Sequence, residues 1–283
     1  MITIEFKSSR GSFKMGGALF DGIRLYEVKG LDYLAPTRST KIYNNTYGVR
    51  TTSRHLGERT ITLNGELNKD VVNRTHIKED IQRAIQDVGI LSITGANGKY
   101  RQIKAEATGC EFGDRNPLIQ KFTLQFVCEE PLFYGRAVET LIGTEEKLIK
   151  GTFALPMPFS RLTDVLYINN RGDYPIEPVI DIYDMGTRTY EGATDSIKIS
   201  NYTTDKEIEL TLTTLPDEVI TVDVPNRTVT SNKREGLLWD YVGNLTDIML
   251  GIGGNDISVI NGTNRLIGCR IKYKALYGAC VMR

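Results

Sequence analysis

Residues 59–67 read RTITLNGEL and residues 122–128 read FTLQFVC. In the first, Ile61, Leu63 and Leu67 share one parity and the intervening positions are mostly polar. In the second, Phe122, Leu124, Phe126 and Cys128 share a parity against Thr123, Gln125 and Val127. A period of two puts one set of side chains on each face of a strand, so each segment is a strand with one face buried. The pattern recurs along the chain. Ile2, Ile4 and Phe6 alternate at the start, and so do Ile208, Leu210 and Leu212, then Ile220, Val222 and Val224. A helical period stands out once: Ile77, Ile81, Ile85 and Val88 line one face, with Asn73 or Thr75 as the cap and Gly89 beyond the end.

These periods predict a mainly β protein. The first half holds strands near 2–7, 23–28, 59–67, 90–94, 100–109 and 119–128 around one packed helix. The second half holds many short strands, near 164–169, 178–183, 196–200, 206–214, 219–224, 257–260 and 267–274, which is the spacing of a β-sandwich. At 283 residues the chain is long enough for two domains. The division falls after the strand that ends QFVCEEPLFYG: residues 1–135 form an N-terminal β domain, and residues 136–283 a connector and a sandwich. Pro131 has no N–H to donate and ends that strand.

Charge gives no case for a nucleic-acid or membrane surface, since Lys+Arg and Asp+Glu are both 35. The alternating N-terminus MITIEFKSSR is no secretory signal, and no run is long enough for a membrane helix, so synthesis and folding in the cytoplasm are expected. The four cysteines, at 110, 128, 269 and 280, contain no C-x-x-C pair. Cys128 sits in register with inward residues and its next neighbours are Glu129 and Glu130. Carboxylates disfavour a thiolate, so the reading is a small hydrophobe and not a nucleophile. His55 and His76 lack the contexts of a triad or a zinc protease. No catalytic, cofactor or metal residues are assigned, and no enzyme activity is expected.

Two features remain as binding candidates. Residues 36–58 are polar and follow neither period, and they carry Arg38, Lys41, Arg50 and Arg54 against one acid, Glu58. They read either as a solvated loop or as an arm gripping a neighbouring subunit. Trp239 and Tyr241 could stack on a sugar, or could be core packing.

Four segments in order carry a family resemblance. They are the strand Arg59–Gly65 (Arg-x-Ile-x-Leu-x-Gly), the strand exit Glu130–Gly135, the segment Gly172–Pro178 (GDYPIEP) and the turn Gly254–Ile257. Together they resemble the distal tail protein family of long-tailed bacteriophages, across nearly the whole chain. The resemblance implies an N-terminal ring or belt domain and a C-terminal galectin-like sandwich. It implies a structural virion protein at the tail tip or baseplate, forming a ring, expected to be a hexamer, around the DNA exit channel. The implied partners are further copies of the chain, the tail tube protein, a tail-tip hub or tail-associated protein, and receptor-binding or baseplate proteins. No cofactor is implied. The alternatives are a carbohydrate-binding module using Trp239 and Tyr241, and a tail-associated wall-degrading enzyme.

Overall fold

A computed structural model describes residues 2–17, 22–41, 47–48, 50–68, 71–114, 119–143, 163–187, 194–237 and 240–280. The chain forms two compact units, one of residues 1–136 with 277–283 and one of residues 137–276. The last residues of the chain thus belong to the first unit, although the sequence division put all of 136–283 in the second.

The first unit contains β1 (Thr3–Lys7), β2 (Ser12–Gly16), β3 (Ile23–Lys29), β4 (Thr37–Lys41), β5 (Arg50–His55), β6 (Arg59–Leu67), α1 (Val71–Ala84), β7 (Gly89–Thr94), β8 (Tyr100–Phe112), β9 (Gln120–Cys128) and the start of β10 (Phe133–Gly143). Seven strands run in the order β8-β7-β1-β2-β3-β6-β9, and β9 pairs back with β8 to close a barrel. The closure rests on one long strand. β8 faces β7 along Tyr100–Ala105, then faces β9 from Glu106 to Phe112, with a register shift between Ala107 and Gly109. A bulge of this kind bends a strand and lets a sheet curl onto itself.

The barrel core is built from the inward parities. Ile61, Leu63 and Leu67 of β6 and Phe122, Leu124, Phe126 and Cys128 of β9 are buried. The two strands pair over nine residues, from Arg59 opposite Cys128 to Leu67 opposite Gln120. The helix adds Ile81 and Ala84 to this core, with Ile77 and Ile85 partly buried against it. Val88 does not join them: α1 ends at Ala84, and Val88 is exposed in the link to β7. The helix also begins earlier than the expected caps, at Val71.

The segment 36–58 is not an irregular loop. β4 and β5 pair as an antiparallel two-stranded hairpin, and every residue of both strands is exposed. With no buried face there is no reason for apolar and polar residues to alternate, which is why the hairpin left no period in the sequence.

The second unit begins with the later residues of β10 and contains β11 (Thr163–Asn170), β12 (Val179–Thr187), β13 (Ile197–Asn201), β14 (Lys206–Leu210), β15 (Val219–Asp223), β16 (Thr228–Ser231), β17 (Tyr241–Val242), β18 (Gly253–Asn261) and β19 (Arg265–Tyr277). One sheet has the order β16-β15-β12-β19 and the other β11-β18-β13-β14-β17. Ile180, Ile182, Ile220, Val222, Ile267 and Ile271 of the first sheet share a core with Ile197, Ile199, Ile208, Leu210, Ile257 and Val259 of the second. This is a β-sandwich, its two inner faces drawn from alternating positions. The connector expected over residues 136–163 is strand as far as Gly143, and residues 144–162 lie outside the described residues.

Candidate assembly surface

The hairpin sets its charges in cross-strand pairs. Arg38 stands directly opposite Arg54, and Lys41 opposite Arg50. Like charges facing each other across a ladder are destabilising, and a two-stranded ribbon is marginal in water without a sheet or helix behind it. Across the hairpin, Thr52 Oγ1 donates to the carbonyl of Ser39 at 3.0 Å. His55 pairs with Thr37 at the base of the hairpin and is exposed. A basic, solvent-facing ribbon is suited to gripping an acidic surface supplied by something else.

At the exit of β9 the chain is held by an arginine. Arg59, the first residue of β6, is 2% exposed. Its Nε donates to the carbonyl of Pro131 at 2.8 Å. Nη1 donates to the carbonyls of Gly30 and Asp32, both at 2.7 Å, and Nη2 to that of Gly278, also at 2.7 Å. The guanidinium lies 4.6 Å from the centroid of the Phe133 ring, which is itself fully buried. A buried cation needs its donors satisfied, and the planar fork of arginine can reach several carbonyls at once. The Arg59 and Phe133 of two resemblance segments are therefore neighbours in space. Tyr134, next along, donates to Glu130 at 2.6 Å; burial first, and that bond second, push its hydroxyl up to about 12. Sequence periodicity could not have found the role of Arg59, because a charged residue opening a strand ordinarily reads as exposed.

The other two segments also fix backbone. Asn170 accepts from the Gly172 N–H at 2.9 Å and donates to the carbonyl of Tyr174 at 2.9 Å. Asn255 accepts from the Gly251 N–H at 2.7 Å and donates to the carbonyls of Gly251 and Gly253 at 2.9 and 3.0 Å. The glycine-rich run is thus a bend at Gly251 and Ile252, closed by the buried Asn255 side chain, with Gly253 and Gly254 already in β18.

The thiols are held neutral. Burial pushes Cys128 up to about 11 even though Arg59 pulls the other way. Cys269 and Cys280 are pushed up to about 12, also by burial, and Cys110 is raised for the same reason. A thiol in that range carries almost no thiolate at neutral pH. His76 is exposed on α1, 3.6 Å from Glu79. Among the described residues no three His, Cys, Asp or Glu side chains gather as a metal site. Of the two sugar-contact candidates, Trp239 lies outside the described residues. Tyr241 is partly buried against the sandwich core and pairs with Leu210.

No family model matches the chain, and no curated protein matches it in sequence. Solved structures do. The crystal structure of the Dit protein of phage SPP1, described as a paradigm of the hub adsorption apparatus in phages infecting Gram-positive hosts, aligns with a TM-score of 0.66 and 15% identity over 97% of this chain and 99% of that one. Chains of the phage P2 baseplate in its activated conformation align at 0.48 with calcium and 0.46 with strontium. Their identities are 12% and 10%, each over 96% of this chain and 98% of the other, levels too low to establish a shared fold.

Proposed function

Because the chain has the fold of a phage distal tail protein, we propose that it is a structural virion protein of the tail tip or baseplate. The observation that carries this reading is the end-to-end match to the SPP1 protein, which spans both units and leaves almost nothing of either chain unaligned. In this reading copies of the chain assemble head to tail into a closed ring, expected to be a hexamer. Such a ring requires two different patches that meet in every copy and a rotation that closes. The β4–β5 hairpin is one of those patches. Its exposure, its facing like charges and its lack of a sheet behind it support a role in gripping the neighbouring copy through Arg38, Lys41, Arg50 and Arg54. The ring would join the tail tube to a hub or tail-associated protein, surround the DNA exit channel, and offer the sandwich to receptor-binding or baseplate proteins.

The test is the mass of the purified chain by light scattering, with negative-stain images, alone and mixed with tail tube and hub proteins of the same phage. Rings of uniform copy number are expected in at least one of these mixtures. A chain that stays monomeric in all of them overturns the proposal.

A further inference from the structure

The outward face of the sheet β11-β18-β13-β14-β17 carries two tyrosines in one cross-strand row. Tyr167 on β11 is opposite Asp256 on β18, and the N–H of Tyr202, at the end of β13, donates to the carbonyl of Asp256 at 2.9 Å. The order across three strands is Tyr167, Asp256, Tyr202, a span of about 10 Å between the outer backbones. Tyr167 is 64% exposed and Tyr202 51%. Asp256 is held in place through its backbone, since its N–H donates to Thr203 Oγ1 at 2.9 Å. Its carboxylate makes no hydrogen bond or ion pair with the described residues.

The Tyr167 ring lies against the sheet. A Cβ on Gly254 would come within 2.6 Å of it, so in this position the ring rests over a glycine. A tyrosine over a strand glycine is by itself ordinary packing. On the other sheet Tyr183 covers Gly268 in the same way, but it is half-buried and stands opposite Val219. Tyr167 differs in being largely exposed, with the Asp256 carboxylate, unbonded among the described residues, next to it and the exposed Tyr202 beyond.

We infer that this row is a glycan-binding site for an uncharged or N-acetylated pyranose oligosaccharide. A pyranose presents a flat C–H face and a rim of hydroxyl donors. The open rings of Tyr167 and Tyr202 take the flat faces of two sugar units, and Asp256 between them accepts from the hydroxyls. The carboxylate repels phosphate and anionic glycans, which sets the class of ligand by charge. The inference does not depend on ring assembly, because all of its residues lie in the second unit.

The experiment uses the full chain on an array of neutral and N-acetylated oligosaccharides, with chitotetraose and maltotetraose titrated in solution by calorimetry. At least one of the two probes is expected to bind. Asp256→Asn should lower its affinity about tenfold, the loss of one hydrogen bond to a charged acceptor. Tyr202→Ala should lower it at least threefold, and Tyr167→Ala likewise. Tyr202→Ala and Asp256→Asn lie clear of Gly254, so matched melting curves for these two keep the test sound even where Tyr167→Ala disturbs the strand. A folded wild-type chain that binds neither probe overturns the inference. So does binding that Tyr202→Ala and Asp256→Asn leave unchanged.

Discussion

Arg59 donates to the carbonyl of Gly278 across 219 positions of sequence, at 2.7 Å. The same side chain holds Pro131, Gly30 and Asp32, so one cation joins the exit of β9, the turn after β3 and the end of the chain within the first unit. Removing it takes a charged donor from four carbonyls, one of them, that of Gly278, in a buried setting. Arg59→Ala should therefore cost about 3 kcal/mol or more, since each hydrogen bond to a charged group contributes about 1.5–3 kcal/mol. Arg59→Lys should lose less but still lose, because an ammonium cannot span acceptors arranged around a planar fork. Urea unfolding of the purified variants measures both. A loss under about 1 kcal/mol for Arg59→Ala would mean that water replaces the guanidinium at little cost.

Gly65 faces Phe122 across β6 and β9, and a Cβ there would clash with the ring and with the backbone carbonyl of Arg24. Gly65→Ala should destabilise by about 1–3 kcal/mol through overpacking. Phe122→Leu alone should also destabilise, by shrinking a buried side chain. In the double variant the smaller side chain relieves the clash with the ring but not the one with the Arg24 carbonyl, so the combined loss should fall only part of the way below the sum of the two. A double-mutant cycle in urea reads this coupling directly, and strict additivity would show that the backbone absorbs the methyl group instead.

Much of this barrel is legible in the sequence. The parities of Ile61, Leu63 and Leu67 and of Phe122, Leu124, Phe126 and Cys128 identify the very residues that meet across β6 and β9. The sandwich is legible for the same reason, since Ile220 and Val222, or Ile208 and Leu210, alternate because one face is buried. What escapes is whatever a buried face does not dictate. The β4–β5 hairpin is exposed on both sides and has no pattern to betray it. β10 escapes because it follows Pro131 closely and its residues 136–139 are all exposed, so they resemble a connector. Arg59 and the return of residues 277–280 to the first unit depend on contacts between segments far apart in sequence. Likewise Tyr167 and Tyr202 become a pair only once β18 is known to run between them.

Glu218 is fully buried at the turn before β15. It accepts from Arg234 Nε and Nη2 at 2.8 and 2.7 Å, from Ser231 Oγ at 2.6 Å and from the Leu215 N–H at 2.7 Å. Burial alone would raise its pKa, but these bonds outweigh burial and hold it below its usual value of 4.5. A depressed folded pKa means that the ionised form stabilises the fold. That contribution is complete above the unfolded pKa and is lost as pH falls through the folded one. Glu218→Gln should therefore melt at a lower temperature than the wild type near pH 7. The gap should narrow in acid, as pH falls below that usual value and through the folded pKa. Thermal melts across that range give the comparison, and a gap that stays constant with pH would show that the charge on Glu218 contributes nothing to stability.

The hairpin allows stability and assembly to be separated. Arg38 faces Arg54, so Arg38→Glu replaces a like-charge pair with an opposite one. Within the chain this should firm the hairpin by about 0.2–1 kcal/mol. Amide hydrogen exchange across β4 and β5 should slow accordingly. Between chains the effect should be the reverse, because the hairpin loses a cation that the proposed neighbour is expected to meet with acid. Sedimentation of the variant should show weaker assembly than the wild type at equal concentration and low salt, where charge contacts count most. A firmer hairpin together with unchanged or stronger assembly would remove Arg38 from the interface and move the search for the second patch elsewhere on the first unit.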